Sequence, residues 1–390
     1  MTNDTRSALF PSGRLLVVLA DPLTHLISKG EVVPRYYNPG TVFRRVDFLL
    51  LNEDQPPLAV LGHMVGDGVE VRVHNMPPPS RLFWRSLGWR APLMGEWLER
   101  CAQLASTCEG ALVRAHGAGL NGLVANHIGM RLGLPVLISL HNLPRHIVAI
   151  SLPDRLRQTA VAMLNERVLR AAGNVMAVYR AQLPYLKGLR VRNVDLIYNT
   201  VGSADLAVKR NYGAGSRLKI LSVGRQFAGK DISALIQACA RVEATDLTVV
   251  GDGSLHDQLK ALAERVGIAH RTSFIPMMTN EELCRSLADF DLFATHNDFP
   301  GIPKAVMEPM LAGLPVVVNR NLGIDELNGA AMVVDNTADG YAGAIRALAA
   351  SEETRRDVGT ACRQRALALW DPVSTETQQS NLHKKLVNQK

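Results

Sequence analysis

The chain has 390 residues, 47% of them hydrophobic and 20% charged, which is typical of a folded globular protein and excludes a disordered or fibrous one. Its length favours two α/β domains of roughly 150–200 residues each. No apolar run approaches the ~20 residues of a membrane span. The N-terminal segment lacks the basic start, apolar core and cleavage site of a signal peptide, and it predicts a short tail before a first strand.

The five cysteines are scattered and never form a CxxC pair, which predicts reduced thiols in a cytoplasmic protein and argues against a structural zinc site. The net charge of +7 lies in the first half, because residues 1–205 contain 22 Lys and Arg against 15 Asp and Glu. This distribution predicts an anionic partner for the first half. The basic residues are dispersed and no aromatic residues interleave with them as a stacking platform, so no nucleic-acid partner is expected.

Short apolar runs rich in β-branched residues alternate with segments of helical periodicity, such as 120–132 and 154–172, and this alternation predicts parallel sheets wrapped by helices. The predicted strands are 15–20, 48–51, 69–73, 111–113, 136–139, 175–178, 194–197, 218–223, 247–251, 273–275, 292–295, 316–318 and 332–334. Thr279 and Glu282 predict a capping box. The polar stretch 203–216 predicts a boundary between a domain of residues 1–205 and one of residues 206–370, followed by a helical segment at 371–390.

The most informative stretch runs from residue 287 to 320, where a predicted strand enters a polar loop and Pro303 takes the first position of a helix. That helix carries Glu308 and ends at Gly313. A strand–loop–helix unit directs backbone N–H groups and a helix N-terminus at one point, which suits a phosphate, and Glu308 could accept hydrogen bonds from sugar hydroxyls. The alternative is an ordinary unit of a parallel sheet with an exposed glutamate.

The run GIPKAVMEPMLAGLPVV resembles the signature of the retaining GT-B glycosyltransferases of family 4 (group 1), which reads E-G-I-P-K-x-x-x-E-A-M-A-x-G-x-P-V-V. The resemblance implies an α/β GT-B fold, in which two Rossmann-like doubly wound domains face a cleft. The first domain, 1–205, would bind the acceptor and the second, 206–370, the nucleotide sugar. A C-terminal helix within 371–390 would cross back to the first domain.

The same resemblance implies a donor site. Glu308 would contact the nucleotide ribose, and the diphosphate would be held by the backbone of Gly301, Ile302, Pro303 and Lys304. The first glutamate of the family signature falls on Pro300, which has no carboxylate. Asp298 is the candidate substitute for the contact with the donor sugar.

Two further segments of the second half resemble the family. Gly224, Arg225 and Lys230 match its V-G-R-x-x-x-x-K-G run, in which the two cations neutralise the leaving diphosphate, and a helix is predicted to begin at Asp231. Gly251 and Gly253 match a V-G-x-G turn near the nucleoside base. The alternatives are solvated surface cations and a plain strand-to-helix turn, since GxGxxG is not completed.

In the first half, His116 and His141 each follow a predicted strand, at the edge where open α/β sheets bind ligands. They resemble the family's H-x-H-G and T-x-H-N segments, which implies a position beside the donor sugar for His141 and an acceptor-side position for His116. Lys29 and Tyr37 lie in a K-G-E…R-Y-Y-N-P-G run that looks like a subset of surface-polysaccharide transferases and implies an acceptor-side loop. The alternatives are structural histidines and an ordered N-terminal loop.

Residues 77–101 contain Trp84, Trp89 and Trp97 among four arginines. A helix of this content predicts contact with an anionic bilayer. The alternative is a helix packed on the sheet with its arginines in solvent.

The resemblance implies a retaining hexosyltransferase that is independent of metal and cofactor, with the Asp289–Asp291 DxD discounted. It would move a sugar from a UDP- or GDP-sugar to a glycan or lipid-linked acceptor in surface polysaccharide or glycolipid synthesis, in the cytoplasm at the inner face of the membrane. His141, Arg225 and Lys230 are the candidate catalytic residues. One alternative, favoured by Pro300, is a catalytically weak or inactive sugar-nucleotide-binding protein of the same fold. Another is a nucleotide-sugar isomerase, which the GIPKxxxE run disfavours.

Overall fold

The structure is a computed structural model that describes residues 13–28, 30, 32–79, 91–144, 152–199, 201–202, 206–321 and 323–389, with the backbone alone at 91–93. The chain divides into two compact units. The first comprises Met1–Thr200 and Val373–Lys390, and the second comprises Val201–Pro372.

The first unit contains a seven-stranded, wholly parallel sheet of order β3-β2-β1-β4-β5-β6-β7. Alternate residues of β1 enter different cores, Leu16 and Val18 on one face and Leu15 and Val17 on the other, as the two-residue repeat of a strand requires. The strands are β1 Arg14–Leu19, β2 Arg45–Leu50, β3 Glu70–Asn75, β4 Leu112–His116, β5 Val136–Leu140, β6 Asn174–Ala177 and β7 Asn193–Leu196. The helices are α1 Leu23–Ser28, α2 Leu58–Val65, α3 Ala91–Cys108, α4 Leu120–Leu132, α5 Leu152–Ala171 and α6 Gln182–Gly188, with a 3-10 turn at Pro39–Thr41.

The second unit contains a six-stranded parallel sheet of order β10-β9-β8-β11-β12-β13. Its strands are β8 Leu218–Val223, β9 Thr245–Val250, β10 Thr272–Ile275, β11 Leu292–Thr295, β12 Val316–Asn319 and β13 Met332–Val334. Its helices are α7 Ser233–Ala240, α8 His256–Arg265, α9 Asn280–Ser286, α10 Lys304–Ala312, α11 Ala338–Ala350 and α12 Glu352–Trp370, with 3-10 turns at Ala269–Arg271, Leu287–Asp289 and Ile324–Leu327. Strand order reverses at β1/β4 in one sheet and at β8/β11 in the other, and open sheets bind ligands at such switch points.

The last helix, α13 (Pro372–Asn388), packs within the first unit. Leu382 and Leu386 join its hydrophobic core. The Glu376 carboxylate accepts hydrogen bonds from the Arg35 guanidinium at 2.5 and 2.8 Å and from the Gly40 N–H at 2.9 Å. Helix α13 therefore stabilises the loop that contains Tyr36 and Tyr37, because Glu376 binds residues on both sides of them.

Each predicted strand overlaps a strand of the structure, and the Thr279–Glu282 capping box is confirmed. Two predicted helix starts were wrong. Pro303 is the N-cap of α10 with extended backbone, and Asp231 precedes α7 by two residues because its carboxylate accepts the N–H and hydroxyl of Ser233. All five cysteines are free and buried. Among the described residues, no helix is both long and apolar enough to cross a bilayer.

Candidate functional site

In the second unit, the carboxyl ends of β8, β9 and β11 surround a small pocket. Arg225 and Lys230, two of the predicted catalytic residues, both line it together with Gln226 and Thr295. The Arg225 guanidinium also lies over the Phe227 ring at 5.2 Å. The structure therefore brings the two predicted cations to one point at the switch of strand order.

The turns after β8 and β9 pack backbone against backbone, and this close approach explains why Gly251 and Gly253 have to be glycines. A Cβ atom on Gly251 would lie 2.1 Å from the Gly224 carbonyl oxygen, and one on Gly253 would lie 2.2 Å from the Gln226 carbonyl oxygen. Both glycines have positive φ, 131° and 156°. Gln226, which the sequence analysis did not single out, ties the turns together because its Nε2 donates to the Gly251 carbonyl at 2.6 Å. The glycines thus set the distance between the two loops that carry the site.

Lys230 is partly buried. Burial lowers the pKa of its ammonium group, and the positive charge of Arg225 lowers it further. A cation that is partly desolvated and repelled by a second cation gains more from an anionic ligand than a solvated surface lysine does. The two cations together therefore favour an anionic ligand at this pocket.

The predicted ribose contact, Glu308, lies in the middle of α10 and is only 4% exposed. Its Oε1 accepts a hydrogen bond at 2.8 Å from the Nδ2 of Asn280, the first residue of α9. The carboxylate is therefore held in place by the protein, unlike the exposed glutamate of the alternative interpretation. Asn280 carried no sequence signal beyond its place next to the capping residue.

The loop before α10 contains the remaining predicted donor-binding residues. Gly301 has a φ of 89°, and both Gly301 and Ile302 are buried. Pro303 and Lys304 are partly exposed where the helix begins. The geometry brings a helix N-terminus to the loop that follows β11, as the strand–loop–helix pattern predicted.

Asp298, the candidate substitute for the family glutamate, is exposed, and its carboxylate is oriented by two neighbours. Its Oδ1 lies 2.8 Å from the His296 Nε2 and accepts a hydrogen bond from the Asn319 Nδ2 at 3.3 Å. The Asp298 N–H donates to the Gly229 carbonyl at 2.8 Å. His296 was not selected from the sequence, although it follows a buried strand as His116 and His141 do. A search for histidines directly after predicted strands would therefore have selected His296 as well.

The first unit contains a cavity of about 560 Å³ at the carboxyl ends of β1, β4 and β5. The His116 and His141 rings stack in its wall, with centroids 5.5 Å apart and planes 11° from parallel. Tyr36 and Tyr37 pack on His116 with centroids at 5.6 and 5.0 Å. Of the predicted acceptor-side residues, His116 and Tyr37 thus meet here with His141, whereas Lys29 lies outside the described residues.

Helix α5 forms another wall of this cavity, where the lining residues are Arg157, Gln158, Val161 and Asn165. Polar and aromatic groups therefore face a space large enough for a sugar.

The bilayer contact predicted for residues 77–101 is not carried by Trp97. That ring is fully buried, and its Nε1 donates to the Met76 carbonyl at 3.3 Å, because α3 packs its inner face on the sheet. Trp84 and Trp89, with Arg81, Arg85 and Arg90, lie outside the described residues.

A second cluster of polar groups joins β2, β3 and the end of α3, where atoms of Asp47, His74 and Cys108 come within 4.8 Å of one another. The spacing would admit a metal ion, but the Arg45 guanidinium donates to the same carboxylate at 2.8 Å. The hydrogen bond that the His74 Nε2 donates to Asp47 at 3.0 Å and the contact with Cys108 raise the pKa of His74 to about 9. With two cations beside one carboxylate, the group is best described as a buried ion-pair network.

Comparison with known proteins gives a family for part of the chain. Residues 208–365 match the family described as glycosyl transferases group 1. The amylovoran biosynthesis glycosyltransferase AmsK of Erwinia amylovora is 34% identical over 120 residues, which cover 28% of this chain and 30% of that protein. A GDP-mannose-dependent α-(1-6)-phosphatidylinositol monomannoside mannosyltransferase of Mycolicibacterium smegmatis is 30% identical over 178 residues, covering 42% and 47%. The chain thus spans less than half the length of these relatives.

Solved structures match nearly the whole chain. Sucrose-phosphate synthase from Thermosynechococcus elongatus superposes with a TM-score of 0.74 at 15% identity, covering 97% of this chain and 100% of that one. Anabaena HepE in complex with UDP and glucose superposes with a TM-score of 0.72 at 19% identity, covering 96% and 99%.

The two doubly wound parallel sheets and these neighbours define the chain as a protein of the GT-B fold. Within that class, residues 208–365 match the group 1 glycosyl transferase family, and for these residues the resemblance found in the sequence is confirmed.

Proposed function

We propose that the protein is a retaining glycosyltransferase that uses a nucleotide sugar bound by its second unit. The observation that carries this proposal is the meeting of Arg225 and Lys230 in one pocket at the switch point of the second sheet. Two cations there match the chemistry of glycosyl transfer, because negative charge accumulates on the diphosphate as the glycosidic bond breaks. HepE is a neighbour solved with UDP-glucose, and the mycobacterial relative is named for GDP-mannose, so both nucleotides are candidates here.

In the proposed reaction, Glu308 accepts hydrogen bonds from the ribose and the backbone of the loop before α10 binds the diphosphate. Arg225 and Lys230 stabilise the leaving group. The departing phosphate takes the proton of the acceptor hydroxyl on the face where the new bond forms, which retains the anomeric configuration without a covalent intermediate. The cycle needs no metal ion or cofactor.

The acceptor proposed for the first unit is a glycan or a lipid-linked sugar. The cavity wall of Tyr36, Tyr37, His116 and His141 supports this, since sugars stack on aromatic rings and donate hydrogen bonds to neighbouring polar groups. Relatives named for amylovoran and phosphatidylinositol mannoside synthesis support a surface polysaccharide or glycolipid product. We place the reaction in the cytoplasm at the inner face of the membrane.

A binding protein without transfer activity is the second candidate, and Pro300 is the observation that favours it. Incubation with a panel of UDP- and GDP-sugars separates the two. A transferase releases nucleoside diphosphate by transfer or slow hydrolysis, and NMR of the product shows the donor's anomeric configuration retained. Donor binding without any turnover supports the binding protein, and an inverted product contradicts the retaining mechanism.

A further inference from the structure

Helix α5 of the first unit exposes an unusual concentration of apolar side chains. Nine large apolar side chains are exposed in the described part of the chain, and four of them lie on this one helix. They are Leu152, Leu156, Val161 and Met163, with exposures of 69%, 64%, 45% and 62%. Single exposed leucines are ordinary on a protein surface, but a cluster on one element indicates a contact with something else.

Three of these side chains form a stripe. At about 100° per residue, Leu152, Leu156 and Met163 fall within roughly 40° of one another around the helix axis. The buried residues of α5 all lie in its second half, and from Leu152 to Val161 every side chain is exposed or only partly buried. The first half of the helix is therefore only loosely packed, and the apolar stripe, which Met163 continues into the second half, lies in solvent.

Basic residues accompany the stripe. Arg155 flanks it, and Arg167 and Arg170 follow on the same side of the helix, all of them exposed. The helix contains two acidic residues: Asp154 pairs with Arg157 at 2.8 Å, and Glu166 pairs with Arg170 at 3.4 Å. An excess of arginine beside an apolar stripe is complementary to a bilayer with anionic headgroups.

The area of the stripe argues against a second copy of the chain as its partner. Three side chains cannot supply the ~800 Å² per partner that a stable protein–protein interface buries. Insertion at the headgroup level of a bilayer has no such requirement, since each apolar side chain enters the lipid independently.

The same helix walls the cavity with Arg157, Gln158, Val161 and Asn165. We propose that α5 is an interfacial helix, whose Leu152–Leu156–Met163 stripe enters an anionic bilayer and so brings the cavity to acceptors carried on lipid. The link to the acceptor rests on the proposed function, whereas the bilayer contact does not. The surface differs from the tryptophan-rich segment that the sequence pointed to.

Co-sedimentation with phosphatidylcholine vesicles, with and without phosphatidylglycerol, tests the proposal. The full chain should bind only the vesicles that contain phosphatidylglycerol, and added salt should weaken binding by screening the arginines. The double variant Leu156→Ser/Met163→Ser should lose about tenfold or more in affinity. Met277→Ser, which removes an equally exposed apolar side chain from the second unit, is the matched control and should bind as the wild type does.

Because the substituted side chains are exposed, the variants should keep the wild-type melting temperature; Arg155→Gln/Arg167→Gln provides a second test that leaves the apolar stripe unchanged. Absence of binding at low ionic strength, or equal binding by wild type and both double variants, overturns the proposal. So does a wild-type dimer in solution that the stripe variants convert to monomer. Vesicle binding is measured without nucleotide, so it can fail while donor turnover succeeds, and the reverse.

Discussion

The Nε2 atom of His296 donates a hydrogen bond to the Asp298 carboxylate across 2.8 Å. The direction follows from the other ring nitrogen: Nδ1 lies 2.9 Å from the Asp231 N–H and accepts it, so the ring proton is on Nε2. His296 is only 3% exposed, whereas Asp298 faces solvent. A buried, oriented ring thus fixes an exposed carboxylate two residues away, next to the loop that we propose for the donor.

The first prediction concerns that carboxylate. If Asp298 replaces the missing family glutamate, Asp298→Ala removes a hydrogen bond from a charged group to the donor sugar. Such bonds contribute about 1.5–3 kcal/mol, so kcat/KM should fall roughly 10- to 100-fold. Transfer rates across several donors measure it, and Asp357→Ala, on the exposed surface of α12, is the control carboxylate.

His296→Gln should produce part of the same loss, because it frees the Asp298 side chain without removing the carboxylate. Pro300→Glu in the Asp298→Ala background should restore transfer if a sugar hydroxyl is what the carboxylate binds. Unchanged rate and selectivity in Asp298→Ala would show that the residue has no such role.

The second prediction concerns the close approach of the two loops. Gly251→Ala would place a Cβ atom 2.1 Å from the Gly224 carbonyl at a φ of 131°, and backbone has to move to admit it. We expect a loss of stability of more than about 3 kcal/mol. Gly267→Ala, at a φ of 79° with nothing within 4 Å, is the control and should lose only about 1–2 kcal/mol. Thermal unfolding of both variants decides; equal losses would mean that strain alone, and not the loop contact, requires Gly251.

The strands were predictable from the sequence because parallel strands buried on both faces leave uninterrupted apolar runs. The first residues of the helices near the site were harder to predict from the sequence. A carboxylate such as Asp231 can either begin a helix or accept hydrogen bonds from the turn before it, and the tertiary contact with His296 decides which. The sequence around Asp231 gives no sign of that contact, because His296 lies far along the chain.

The same distinction between local pattern and distant contact applies to the residues of the candidate site. The sequence analysis identified Gly224, Arg225 and Lys230 because all three follow a single predicted strand within a few positions. Asn280 and Asn319 were not, since each is placed by a fold contact from a distant part of the chain. The exposed stripe of α5 was also missed, because a leucine at helical spacing is usually a core residue and only the packing shows which face is left in solvent.

The third prediction concerns pH. The hydrogen bond that His74 donates to Asp47, with a further contribution from Cys108, raises the pKa of His74 from 6.5 to about 9 in the folded protein. A raised pKa stabilises the fold fully below the unfolded value of 6.5, and this stabilisation is lost as the pH rises through about 9. Its upper limit is about 3 kcal/mol.

The melting temperature of His74→Gln should therefore lie below that of the wild type at pH 6, and the gap should close towards pH 10. His270→Gln, an exposed histidine of the second unit, is the control and should show no such convergence. A gap of constant size across this range would exclude the ionised pair as its source.

The central claim, that the second unit binds the diphosphate of a nucleotide sugar, is tested most directly by calorimetric titration of UDP, GDP and their nucleosides. The account predicts that the wild type binds one of the diphosphates, and that Lys230→Met weakens it by about 2–4 kcal/mol while leaving nucleoside binding unchanged. Glu308→Gln should weaken nucleoside and diphosphate alike, and Lys260→Met, on exposed α8 surface, should change neither. Failure of the wild type to bind either diphosphate, or equal affinities in wild type and Lys230→Met, would contradict the claim.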